Sequence, residues 1–263
     1  MDGAARSRSA FKAGSVSVAA LYVDPNGVYA GLPDVEVWDE ARDARLYAGP
    51  WPVVAHPPCN KWSPLAYINR RRIEGYEIGD DGGCFETALE AVRNYGGVLE
   101  HPALSLAWRH FNLPTPMRGF WRAALGRDSW WVTEVDQGVY GHPARKRTWL
   151  YYVGPEPPDL NWRVAESNVI VSGFLHHAGT DESRRVRPKE ASSTPIAFRD
   201  VLLEMARSAG VAAWRLADSN WCKRRLTERG SAKPVWASGS PPDRGTDPPR
   251  SVSLPDSNWC KRP

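Results

Sequence analysis

Short apolar runs, separated by polar stretches, set the pattern of the first two hundred residues. Val16 to Val23 and Val35-Glu36-Val37-Trp38 read as strands, the first apolar enough to be central in a sheet. Asp24-Pro25-Asn26-Gly27 is turn chemistry, and Val28 to Leu32 has room for one helical turn at most. Asp39 ends the second strand and is placed to N-cap a helix over Glu40 to Leu46. A third run, Pro52-Val53-Val54-Ala55, leads into His56-Pro57-Pro58-Cys59. Asn60 to Gly79 is polar, carries Arg70-Arg71-Arg72, and reads as a loop. Asp80-Asp81-Gly82-Gly83 then predicts the cap of a helix over Cys84 to Tyr95, where Phe85, Ala88, Leu89 and Val92 fall at helical spacing. Gly96-Gly97 stops that helix, and Val98-Leu99-Glu100 is a fourth strand. A helix near Leu104 to Phe111, strands at Trp131 to Val135 and Thr148 to Val153, and a helix over Phe198 to Ala209 complete the pattern.

Strands alternating with helices predict an α/β domain over residues 15–210, with a mostly parallel sheet flanked by helices. Residues 1–14 read as a flexible lead-in, and periodicity is weak over 154–191. The Pro-, Gly- and Ser-rich stretch 211–263 predicts disorder. Within it Asp218-Ser219-Asn220-Trp221-Cys222-Lys223-Arg224 recurs as Asp256 to Arg262.

Composition narrows the function classes only a little. A formal charge of +4 permits a nucleic-acid partner without requiring one. No run approaches the roughly 20 apolar residues of a membrane span, and the N-terminus has no apolar core of a secretory leader. Four scattered cysteines imply no disulfide framework. The expectation is a soluble protein of the cytoplasm.

The chemistry centres on Cys59. A strand that exits through two prolines must turn there, and open α/β sheets place their chemistry at such carboxyl ends. Cys59 therefore reads either as a small buried hydrophobe or as a presented nucleophile. A metal site is the other possibility, with His56 and Cys59 joined by Cys84, His101 or His142. No second ligand pair at metal spacing supports it, and no metal is expected.

Taken in order, these signals resemble the cytosine-C5 DNA methyltransferases, over roughly residues 16–209. Pro57-Pro58-Cys59 matches the Pro-Pro-Cys that supplies the family's nucleophile. Asp81-Gly82-Gly83 falls between it and Glu100-His101-Pro102, which stands where the family has Glu-Asn-Val at a strand end. Tyr140-Gly141-His142-Pro143-Ala144-Arg145-Lys146-Arg147-Thr148 is similar to the family's Tyr-Gly-x-Pro-Gln-x-Arg-x-Arg, and Ser192-Ser193-Thr194-Pro195 to its Asn-x-Val-Pro. The glycine-rich first motif is here Tyr22-Val23-Asp24-Pro25-Asn26-Gly27, with Gly31 following.

The resemblance implies a Rossmann-like methyltransferase-type fold, with 154–191 as a reduced recognition insert. It implies Cys59 as the nucleophile that adds to C6 of cytosine, and Glu100 as the acid facing N3. Lys146 would be the basic partner, with Arg145 or Arg147 able to substitute. S-adenosylmethionine would be the methyl donor, held by Asp24, Gly27, Gly31, Asp39 and Pro57, with DNA as the partner. Each residue also has a plainer reading. Glu100 could be a solvated strand-end carboxylate, Arg145-Lys146-Arg147 an exposed basic turn, Asp39 a helix cap, and Gly27 and Gly31 turn residues. The competing function is a catalytically inactive nucleic-acid-binding protein on the same sheet.

Overall fold

Successive residues of the apolar runs point to opposite faces of one sheet, as strand geometry requires. Val18, Ala20, Val54 and Val98 pack with Phe198, Leu202 and Met205 on one face. Ala19, Leu21, Val53, Ala55 and Leu99 pack with Phe85, Leu89 and Val92 on the other. Both faces are buried, which is why these runs are apolar throughout rather than alternating.

The structure is a computed structural model that describes residues 17–123, 130–166, 170–171, 185–186 and 188–217. The chain divides into two compact units, Met1–Ala213 and Trp214–Pro263, and the sheet belongs to the first. Its strands are β1 (Val18–Leu21), β2 (Val35–Trp38), β3 (Val53–Ala55), β4 (Gly97–Pro102), β5 (Arg122–Ala123), β6 (Trp130–Asp136) and β7 (Arg147–Val153). The helices are α1 (Ala66–Arg72), α2 (Cys84–Tyr95), α3 (Leu106–His110), α4 (Pro188–Ala191) and α5 (Ile196–Ala217). Two short strands, β8 (Ile170–Val171) and β9 (Arg185–Val186), pair in parallel apart from the main sheet.

The seven strands lie in the order β2-β1-β3-β4-β7-β6-β5. β2, β1, β3 and β4 are parallel neighbours, whereas β7 runs antiparallel to both β4 and β6, and β5 antiparallel to β6. The sheet is therefore α/β but mixed, not mostly parallel by pairing. The carboxyl ends of β1 to β4 and of β6 nonetheless share one edge with the start of β7. Gly96-Gly97 does more than end α2: at Gly97, with φ +112°, a Cβ would overlap the Val53 carbonyl, so only glycine lets β4 start this close to β3.

Several expectations need correction. β1 ends at Leu21 because Tyr22 turns to φ 60°, which sends its hydroxyl to Thr87 on α2, 2.7 Å away. No helix covers residues 40–46: Asp39 closes a turn on the Arg42 amide (2.9 Å), and left-handed Asp43 caps a single 3-10 turn, Ala44–Leu46. Asn60 to Gly79 is not all loop, since α1 lies within it. Positive φ at Leu104 delays α3, whose cap is Ser105. α5 runs through Gly210 to Ala217, because one interior glycine costs only about 1 kcal/mol and the flanking residues favour helix. The remaining tail, with its repeated heptapeptide, and residues 1–14 lie outside the described residues.

Candidate active site

The exit of β3 is held on three sides. The His56 amide still donates to Leu21 of β1 (3.0 Å), so His56 is aligned with the sheet before the prolines carry the chain away. Pro57 is buried, Cys59 is exposed, and the Trp62 amide closes a turn on the Cys59 carbonyl at 3.0 Å. Trp62 is anchored in turn, its indole donating to Asp81 at 2.7 Å. Asp81 also accepts from the Phe85 amide at 2.9 Å and so caps the start of α2. One carboxylate thereby ties the loop carrying Cys59 to the helix behind it.

Register brings β4 to the same place. Ala55 pairs with Leu99, so the next residues, His56 and Glu100, are neighbours. Glu100 is 7 % exposed, and its Oε2 lies 2.9 Å from His56 Nδ1. Its Oε1 accepts from Gln137 Nε2 at 2.9 Å, and the same amide donates to Thr148. The far side of the imidazole, Nε2, is 2.8 Å from the hydroxyl of buried Tyr29. Tyr29, His56, Glu100, Gln137 and Thr148 form one continuous hydrogen-bonded chain across four strand ends.

Electrostatics follow from that packing. Burial alone would raise the Glu100 carboxyl, but His56 and Lys146 outweigh it and hold it at about 2. Glu100 is thus a carboxylate, an acceptor only, which makes His56 Nδ1 the donor between them. Solvent reaches Cys59, yet the protein packed around the thiol pushes it up; Glu100 adds to that push and Lys146 opposes it. His101 is 1 % exposed, between Phe85 and Trp108, and burial holds it neutral, down to about 4.

The basic run divides three ways. Lys146, just before β7, acts on both Cys59 and Glu100, and its Nζ donates to the Ser193 carbonyl at 2.9 Å. Arg145 pairs with buried Asp136 at 3.4 Å. Arg147 grips Glu134 through two bonds of 2.8 Å. Arg145, predicted as an alternative partner for the thiol, is committed to Asp136.

Of the residues expected to hold the methyl donor, Asp24, Gly27, Gly31 and Asp39 follow β1 and β2, and Pro57 lies at the exit of β3. Asp24 is exposed and accepts from the Asn26 amide at 2.8 Å, while its carbonyl accepts from Gly27 at 2.9 Å. Gly31 is exposed with φ +72° and open space around it. Asp39 is half-buried, one oxygen on the Arg42 amide. The Asp24–Gly31 loop also delivers Tyr29 to His56, a role sequence reasoning missed because one tyrosine in a turn carries no pattern. Gln137 was missed for a related reason: its partner is 37 residues away in the chain. The strand-end position of His56 was its signal.

The metal candidates do not converge. Cys84 is buried in α2, and His142 is taken up by backbone atoms of Ala144 and Glu190. Among the described residues, no group of three or more His, Cys, Asp or Glu is placed to hold a metal ion, and no helix is long and apolar enough to cross a membrane. No protein-family model, curated protein or solved structure matches the chain.

Proposed function

We propose that the protein is a cytosine-C5 DNA methyltransferase-like enzyme that modifies the base through a Cys59 thiolate adduct at C6. One observation carries this reading: Cys59, Glu100 and Lys146 come from three separate strand ends to one edge of the sheet, close enough for Glu100 and Lys146 to act on the thiol and for Lys146 to act on Glu100. The chain order adds support. β2 lies on one side of β1 and β3 on the other, so the strand order reverses at β1, where α/β sheets of this kind bind their ligands. On this reading the fold is the Rossmann-like methyltransferase type.

C5 of cytosine is a poor nucleophile until a thiolate adds at C6 and makes it enamine-like. Charge then builds on the ring at N3, where a hydrogen-bonding partner must meet it. Lys146 favours the thiolate of Cys59, and Glu100 faces the ring. S-adenosylmethionine supplies an electrophilic methyl group when bound. The residues at the switch point fit it: Asp39 ends β2 where a ribose-binding acid belongs, and left-handed Gly31 leaves open space beside the backbone. DNA is the proposed partner, and Arg70, Arg71 and Arg72, exposed on α1 after the Cys59 loop, suit its phosphates.

The test is covalent trapping on DNA containing 5-fluorocytosine, with S-adenosylmethionine present, since fluorine at C5 blocks release of the adduct. A denaturation-resistant complex with the native chain, absent with Cys59→Ser, is expected. The upward push on the Cys59 thiol favours the second reading, a non-catalytic nucleic-acid-binding protein. Salt-sensitive DNA binding without any adduct would select that reading and reject the first.

A further inference from the structure

We infer that His56 holds the proton which Glu100 must present to the cytosine ring, making it the positioning residue of the acid. The inference rests on the methyltransferase reading. It starts from a conflict: the chemistry needs a proton at N3, yet Glu100, the carboxyl that faces the ring on that reading, is held as a carboxylate by the protein around it.

The hydrogen bonds resolve the conflict. Gln137 Nε2 is a donor only, so Oε1 of Glu100 must remain an acceptor. A proton arriving on Glu100 can therefore sit only on Oε2, the oxygen 2.9 Å from His56 Nδ1. On the other side, the Tyr29 hydroxyl meets His56 Nε2 at 2.8 Å and is free to turn. It accepts from Nε2–H and donates to a bare Nε2, so it serves the imidazole in either charge state. Burial keeps the Tyr29 phenol neutral, and the Glu100 carboxylate reinforces this. Tyr29 therefore orients the ring without giving up its own proton. The His56 and Glu100 side chains are 12 % and 9 % exposed, so water competes little for the shared proton.

In the reacting form both nitrogens of His56 carry protons. The Nδ1–H bond breaks as Oε2–H forms, leaving a neutral imidazole whose Nε2–H stays on Tyr29. Cys59 Sγ bonds to C6, the ring electrons move to N3, and Oε2–H breaks as N3–H forms. Glu100 ends as the carboxylate it began as, and the thiolate and imidazolium charges have cancelled. The reverse transfer restores His56 when the adduct collapses. The charged and titratable groups around His56 are Tyr29 from the loop after β1, Cys59 on its own exit, Glu100 and His101 on β4, and Lys146 before β7. Arg199 and Asp200 of α5 act on Tyr29.

Exchange of the cytosine C5 hydrogen for solvent deuterium reports adduct formation and needs no methyl donor. The probe is sheared genomic DNA, which holds every short cytosine context. The native chain is expected to exchange faster as the pH rises and the Cys59 thiol ionises. His56→Asn keeps an N–H donor for Glu100 but no transferable proton. It should slow exchange roughly 100-fold or more, the usual contribution of a positioned acid, and added imidazole, which carries a transferable proton, should restore part of the rate. His56→Gln serves as the second variant, and melting curves confirm that each is folded. Exchange that survives at the native rate in both folded variants, or a slowed rate that imidazole leaves unchanged, would overturn the role of His56 alone. Absence of exchange in the native chain would overturn the methyltransferase reading, and the inference with it.

Discussion

Burial acts in opposite directions on Glu100 and His101, neighbours at the end of β4. It raises the carboxyl and lowers the imidazole, but His56 and Lys146 reverse the first effect, so both groups end below their ordinary values, at about 2 and about 4. A depressed pKa means the folded state binds fewer protons than the unfolded one, so each group adds stability that is present above its unfolded pKa. For His101 that contribution is lost as the pH falls from 6.5 towards 4, and for Glu100 from 4.5 towards 2. Each is worth roughly 3 kcal/mol at 1.36 kcal/mol per unit. Urea unfolding at stepped pH should therefore show a two-stage acid loss. His101→Leu should flatten the upper stage and Glu100→Gln the lower; equal slopes in both variants and the native chain would refute the assignment. At this scale the sequence was partly legible. Cys59 and Glu100 were found because strand ends can be read from apolar runs. Tyr29 and Gln137 were not, because their roles come from contacts between distant loops.

Among the elements, α2 was readable to the residue and α1 was not, for a physical reason. α2 buries Phe85, Ala88, Leu89 and Val92 along one stripe and has an acidic cap before it. α1 has seven residues, of which only Ala66 is buried, so no apolar period marks it. Its neighbour in the chain, the Cys59–Trp62 turn, is pinned at Trp62, which is buried against Phe85 and Phe111 and whose indole depends on Asp81 for its partner. Asp81→Ala removes a helix cap and a buried indole partner together, at a cost of roughly 2–3 kcal/mol. The melting temperature should fall by roughly 5–10 °C. Asp80→Ala, at an exposed position beside it, should change stability by less than about 0.5 kcal/mol. Equal shifts for the two variants in calorimetric scans would show that Asp81 does not hold the loop to the helix.

Across the whole molecule, hydrophobic pattern disclosed that a two-faced sheet exists but was silent on the direction of its strands. The reversal of β7 had no clear sequence signal: the structure leaves ten residues, 137–146, between it and β6, but the strand bounds read from the apolar runs leave twelve. A parallel crossover needs a dozen or more residues as a rule, so the sequence bounds allowed either direction. The reversal brings Lys146 to the same edge as Cys59 and Glu100. On the proposed reading that edge has two parts, the ends of β1 and β2 for a donor and the ends of β3, β4 and β6 with the start of β7 for the base, joined by the Tyr29–His56 hydrogen bond. If the two parts serve different ligands, they can be disabled separately. On the proposed reading, Asp39→Ala removes a carboxylate–hydroxyl hydrogen bond to the donor, worth about 1.5–3 kcal/mol. It should weaken S-adenosylmethionine binding by roughly 10- to 150-fold in calorimetry. The same variant should exchange cytosine C5 hydrogen at the native rate, since no donor takes part in that step. Unchanged donor affinity would remove Asp39 from the donor site, and no heat with the native chain at millimolar donor would remove S-adenosylmethionine altogether.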